Sequence, residues 1–177
     1  GTQLYGLVQD KYPFNDHAVI RRWALSTAWD LSTATLQSDC YTPTHNGAGV
    51  EGVQDIDISP DGTVLTYMSN YYDDTSAEKT VRSQVMSTPN NLSTMGSSQL
   101  TSQASDIYNY AMAVDGDGEK VYLIGDNYEQ FASFSNNGTA YRWTGSQTWT
   151  GLDLTSFPVY YPRAARFNTS GSKIWVH

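Results

Sequence analysis

Asp55-Ile56-Asp57-Ile58-Ser59-Pro60-Asp61-Gly62-Thr63-Val64-Leu65-Thr66-Tyr67 is the stretch whose reading decides the fold. Ile56 and Ile58 fall on one side of an extended chain, and Asp55, Asp57 and Ser59 on the other, as a period of two requires. Pro60 suits the first central position of a turn. Asp61 brings a capping oxygen, and Gly62 a residue that accepts positive φ. Val64 is β-branched and restarts a strand. The stretch therefore predicts a hairpin.

The pattern recurs. Met112 to Ile124, with Asp115-Gly116-Asp117-Gly118 at its turn, predicts a second hairpin, and Ala165 to Val176, with Asn168-Thr169-Ser170-Gly171, a third. Gly1 to Val8 reads as the second half of another. The turn glycines Gly1, Gly62, Gly118 and Gly171 are separated by 61, 56 and 53 residues. A repeat of this kind sets the architecture.

A further strand is expected after each hairpin: Ala18–Leu25, Thr80–Met86 and Thr139–Thr144. These bring Arg21, Arg82 and Arg142 into register. A shared tail follows. Ser26-Thr27-Ala28-Trp29-Asp30-Leu31-Ser32-Thr33 matches Ser87-Thr88-Pro89-Asn90-Asn91-Leu92-Ser93-Thr94 at an offset of 61, and Gln147 to Ser156 is a looser third copy. The tail is expected to turn the chain and dock one leucine into the sheet. Variable connections follow at Ala34–Gly52, Met95–Tyr108 and Phe157–Tyr161, with room for a short fourth strand. Small residues at Ala111, Ala113, Ala164 and Ala165 fit a crowded inner sheet face. Residues 1–177 thus read as a single all-β repeat domain of about three four-stranded antiparallel units, a propeller or partial propeller. The chain begins and ends inside strands, which suggests a piece of a longer repeat protein. Association of chains is a second way to complete the array.

Composition agrees. The chain has 177 residues, 13 of them Tyr and 5 Trp, with much Ser, Thr and Asn, which suits sheets better than long helices. A net charge of −8 counts against nucleic acid as a partner. The basic spots, Arg21-Arg22 and Arg163 with Arg166, read as solvated strand-edge charges. The single cysteine, Cys40, excludes an internal disulfide and reads as an inert thiol. No segment reaches the length of a membrane span.

The Ser59-Pro60-Asp61-Gly62-Thr63 turn followed by an aromatic strand, together with Leu25-Ser26-Thr27-Ala28-Trp29-Asp30-Leu31-Ser32-Thr33-Ala34, resembles β-propeller-like repeat proteins of marine tailed bacteriophages and some bacteria. The resemblance spans essentially the whole chain in three copies. It implies a non-enzymatic structural or adhesion protein, virion-associated or extracellular. Other virion or surface proteins, or a host glycan, would be its partners. It implies no catalytic residues and no cofactor.

Candidate sites follow from side-chain chemistry. Tyr12, Phe14 and Asp16, Tyr71, Tyr72 and Asp73, and Tyr128 and Glu129 occupy corresponding loops. Aromatic faces beside acids hold sugar rings, so these loops are the candidate ligand contacts, the alternative being that the aromatics plug gaps between units. Asp115 and Asp117 resemble a fragment of a calcium loop, but a plain hairpin turn is the favoured reading and no metal is expected. Asp55 and Asp57 have the spacing of a glycosidase pair, while solvated strand positions are the expected reading. An extracellular lectin, and a carbohydrate-active enzyme on a propeller, are the alternatives.

Overall fold

A computed structural model describes residues 1–9, 18–45, 48–49, 53–70, 79–96, 99–103, 109–115, 117–125, 130–135, 148–153, 164–168 and 173–176. Strands dominate, and among these residues no helix is long and apolar enough to cross a membrane. Unit 1 contains β1 (Gln3–Gln9), β2 (Ala18–Leu25) and β3 (Ala34–Tyr41). A small hairpin of β4 (Thr44–His45) and β5 (Ala48–Gly49) follows. Unit 2 is β6 (Val53–Ile58), β7 (Val64–Asn70), β8 (Lys79–Val85) and β9 (Gln99–Gln103). Unit 3 is β10 (Asn109–Val114), β11 (Lys120–Gly125), β12 (Gln130–Ser135) and β13 (Thr148–Asp153). Unit 4 is the pair β14 (Ala165–Phe167) and β15 (Ile174–Val176). Each sheet is antiparallel and keeps its strands in chain order.

The expected hairpins form, and one device closes all three. Ser59 N donates to Val64 O, Asp115 N to Lys120 O and Asn168 N to Lys173 O. In return the side-chain oxygens of Ser59, Asp115 and Asn168 accept from the amides of Val64, Lys120 and Lys173 at 2.8, 3.0 and 2.8 Å. Hydroxyl, carboxylate and amide side chains do the same work, because each offers an acceptor at the same reach. Gly62 and Gly118 take φ of +72° and +69°, as the turns require.

The tail also has a definite geometry. Trp29 and Asn90 adopt positive φ, and their amides donate to the turn carbonyls of Gly1 and Gly62. Asp30 and Asn91 then cap a short 3-10 turn, accepting from the amides of Ser32 and Ser93. Thr33 and Thr94 hydroxyls donate back to the carbonyls of Asp30 and Asn91. The tail thus clips onto the turn of its own unit's hairpin. Leu92 docks and is buried, whereas Leu31 is 66% exposed. The docking expectation fails for Leu31 because among the described residues no sheet lies across it.

Alternation divides the side chains of each sheet between two neighbours. Ile56, Leu65, Tyr67 and Met86 of unit 2 pack with Ala18 and Ile20 of unit 1. Met68 and Val81 on the opposite face pack with Met112, Val114, Val121 and Leu123 of unit 3. Ala111, Ala113 and Ile124 then turn to Ala165 of unit 4, with Tyr122 tilted on Phe167 at 5.1 Å. Small side chains permit this close approach, as expected of Ala111, Ala113 and Ala165.

Other expectations need correction. The fourth strand is long in unit 1, where Ala34–Tyr41 is strand rather than variable connection. The third strand of unit 3 is β12, which opens at Gln130, directly after Tyr128 and Glu129. The expected strand Thr139–Thr144, with Arg142, lies outside the described residues. The third tail copy contains β13. Its Thr148-Trp149-Thr150 run follows the two-residue period, and a sheet edge on β12 captures it.

Candidate functional site at the inner strands

β6, β10 and β14 are the first strands of successive hairpins, and β10 contacts both β6 and β14 directly. Each is an edge strand of its own sheet. An edge strand presents unpaired amides that need acceptors. Here the acceptors are carboxylates of the preceding unit. Asp55 Oδ2 accepts from Met112 N at 3.0 Å, and the Val114 amide donates to Asp57 two residues further on. The alternation of β6 places both acids toward β10, so the ladder follows directly from the spacing Asp-Ile-Asp.

Arg166 on β14 completes the arrangement. Its Nη1 and Nη2 donate to Asp55 Oδ2 and Oδ1 at 3.2 and 3.1 Å. The same guanidinium donates to the carbonyls of Ala165, Met112 and Ile56 at 2.6, 3.1 and 3.3 Å. One side chain therefore ties units 2, 3 and 4. Burial works against the Arg166 charge, but the bond to Asp55 and the charges of Asp55 and Asp57 hold its pKa above the ordinary value.

The two acids differ in state. Asp55 is buried, and each oxygen already accepts twice, counting its own neighbour Ile56 N. It serves as a structural acceptor. Burial pushes the Asp57 carboxyl up to about 6. The neighbouring Asp55 charge adds to this, while Arg166 and the amides of Ile58 and Val114 oppose it. Asp57 therefore exchanges its proton close to neutral pH. Asp55 has no oxygen free to attack or protonate a substrate, so the pair lacks the two open carboxyls that glycoside hydrolysis requires. The expectation of solvated positions is corrected as well: Asp55 is buried and paired.

A second polar cluster joins units 1 and 2. Arg22 grips Asp39 through Nε and Nη2, with Nη2 to Oδ1 at 2.8 Å, and both side chains are largely buried. Asp39 Oδ2 accepts from Leu92 N at 2.8 Å, and Tyr5 Oη donates to Asn90 Oδ1 at 2.8 Å. Burial would raise the Asp39 carboxyl, but the Arg22 bond and the Leu92 amide hold it below the usual range. Burial pushes the Tyr5 phenol up. Both basic spots expected as solvated charges thus contain an arginine bound to a carboxylate, Arg22 and Arg166. For the second, the sequence offered only a nearby hint: Asp57, Ala113 and Arg166 occupy the same place relative to their turns, whereas the acid that Arg166 binds is Asp55, two residues away.

Asp115 is half-buried and caps its turn. Its carboxyl is raised by burial, with Asp117 and Glu119 adding repulsion. Asp117 is exposed. No group of three or more potential metal ligands occurs among the described residues. Cys40 is exposed and free. Tyr12, Phe14, Asp16, Tyr71, Tyr72, Asp73, Tyr128 and Glu129 lie outside the described residues.

No family model matches the chain, and no curated protein matches it in sequence. A solved structure of hydrazine synthase from Kuenenia stuttgartiensis aligns with a TM-score of 0.58 at 10% identity, covering 99% of this chain and 52% of that one. The likeness is one of fold, and this chain spans about half the length of that protein. A functionally unknown protein from Desulfotomaculum acetoxidans DSM 771 aligns at 14% identity and TM-score 0.46, covering 89% of this chain and 41% of its own. A luciferin-regenerating enzyme aligns at 13% and 0.48, covering 96% and 53%. The last two likenesses are too loose to carry an argument.

Proposed function

We propose that the chain is a β-propeller or propeller-like array serving as a non-enzymatic structural or adhesion component, virion- or tail-associated or otherwise extracellular. The observation that carries this reading is the use of charge where units meet. Asp55, Arg166, Arg22 and Asp39 are spent on fixing units to one another. A rigid stack of this kind suits the display of loops to other surface proteins or to a glycan. The fold permits many activities, so the weight rests on these contacts and on the repeat motif.

Electron microscopy of native material tests the assignment. Copies ordered within a particle would support it, and a freely dispersed enzyme with turnover on polysaccharides would overturn it. For the glycan arm, a sugar array read with the intact chain and with a Tyr71→Ala, Tyr72→Ala variant is decisive. Binding that the double variant lowers about tenfold or more would assign the loops, since stacked aromatics carry much of such contacts. Equal binding by both would remove the loops from the site.

A further inference from the structure

Unit 2 faces unit 3 with a polar row set among apolar side chains. Asp57, Thr66 and Ser83 stand directly opposite one another across β6, β7 and β8. Side chains so opposed are neighbours, with Cβ atoms about 5 Å apart. Alternation puts Thr66 beside Met68 and Ser83 beside Val81, on the face that packs against unit 3. The wall across from them is Met112, Val114, Val121 and Leu123, all buried. Thr66 and Ser83 are fully buried, and Thr66 Oγ1 has no hydrogen-bond partner among the described residues. Asp57 keeps partial exposure, which leaves its proton a way to water.

The corresponding row of unit 1 is built differently. Leu25 N donates to Thr2 O as Met86 N donates to Thr63 O, so Tyr5 and Arg22 are the counterparts of Thr66 and Ser83. There the polar atoms are spent, Tyr5 Oη on Asn90 and the Arg22 guanidinium on Asp39. That junction matches its carboxylate with a permanent cation. The row of unit 2 holds an acid and two hydroxyls. Asp57 Oδ1 accepts from Ile58 N at 2.8 Å, and the Val114 amide of β10 binds the same carboxyl. The charges that act on it are Asp55 from its own strand and Arg166 from β14, whose guanidinium is bonded to Asp55. β7 presents Thr66 and Met68 to it, and Asp115 caps the turn beyond Val114.

We propose that this row is a proton-operated latch between units 2 and 3. With Asp57 neutral, its carboxyl hydrogen is donated to Thr66 Oγ1, the unspent acceptor across the strand, and the junction is shut. When the proton leaves to water, a carboxylate stands against the apolar wall, and the two units part locally to hydrate it. The proton returns from water on closing, so the cycle consumes nothing. Burial raises the Asp57 carboxyl to about 6, so the shut state is favoured at low pH and gives way as pH rises from about 4 through about 6. The inference rests on this junction and not on the glycan or virion assignment.

Hydrogen exchange of the whole 177-residue chain, read by NMR and corrected for the intrinsic effect of pH, tests the latch. From about pH 4.5 to about pH 7.5, the Met112 and Val114 amides are expected to quicken about tenfold or more relative to the Leu92 amide, which Asp39 holds at the other junction. The midpoint is expected to coincide with titration of the Asp57 carboxyl carbon. Asp57→Asn is expected to abolish the quickening, since its amide still donates to Thr66 and carries no charge. Thr66→Val is expected to lower the Asp57 midpoint, because the neutral form loses its acceptor. Equal quickening at Leu92, or quickening that survives Asp57→Asn as titration of Asp115 would give, overturns the proposal. So does an Asp57 midpoint that rises or stays in Thr66→Val. If Asp57→Asn loses its β spectrum in circular dichroism, the two wild-type midpoints decide, and their disagreement overturns the latch.

Discussion

Asp57 makes the stability of this protein depend on pH in an unusual direction. Its folded pKa, about 6, lies above that of a free carboxyl. The folded state therefore holds the proton more tightly, and stability falls as pH rises from about 4 through about 6, then levels. Asp39 and Asp61 have the opposite sign. Their carboxyls are held low, Asp61 by the side chains of Ser59 and Thr63, so their contribution is present above the ordinary carboxyl pKa and lost as pH falls below it. The melting temperature is therefore expected to be highest near about pH 4, the ordinary carboxyl pKa, and to fall on either side of it. Asp57→Asn should raise stability at pH 7.5 by about 1–3 kcal/mol, by roughly half as much at pH 5, and change little below about pH 4, read by thermal melts across that range. At the turn, a Cβ on Gly62 would fall against the Asn90 side chain at a φ of +72°. Gly62→Ala is expected to cost about 2 kcal/mol by denaturant titration. The sequence made the turn glycine legible. It left the Asp57 environment hidden, because alternation assigns a face without saying what covers it.

The tail shows how far element-level reading reaches. The match between Trp29-Asp30-Leu31-Ser32-Thr33 and Asn90-Asn91-Leu92-Ser93-Thr94 correctly marked one repeated element, and both copies form the same capped 3-10 turn. Their surroundings differ, since Leu92 N finds Asp39 of unit 1 and Leu31 faces outward. Asp39→Ala removes the partner of a largely buried arginine and the acceptor of the Leu92 amide together. It is expected to cost about 3–5 kcal/mol, measured by urea unfolding. Ser93→Ala, at an exposed position in the same turn, should stay within about 0.5 kcal/mol in the same titration. The third unit escaped the reading because its sequence runs differ. Gln130-Phe131-Ala132-Ser133-Phe134-Ser135 alternates as a strand should, whereas the likeness of Thr139–Thr144 to the third strands of the other units points further along the chain.

For the whole molecule, the antiparallel hairpins and the chain order of the strands were readable from turn spacing, with four strands in units 2 and 3 but three and two described in units 1 and 4, whereas the ties between units were not readable. Those ties join residues 111 apart, Asp55 and Arg166, and no local pattern announces a partner at that distance. Asp55→Asn is expected to loosen units 2 to 4 together. Hydrogen exchange should quicken at Met112 and along β6 and β14, while β1 and β2 keep their protection. Equal quickening in every sheet would show one indivisible folding unit instead. The same tie has a consequence for how such a chain can change over generations. Arrays of like modules usually grow or shrink by in-frame gain or loss of a module. Here the acid belongs to the second module, the base to the fourth, and the third supplies the Met112 amide and carbonyl between them. Recombination that removes or doubles the third module separates the two charges, so the length of this stretch is held fixed by its own wiring.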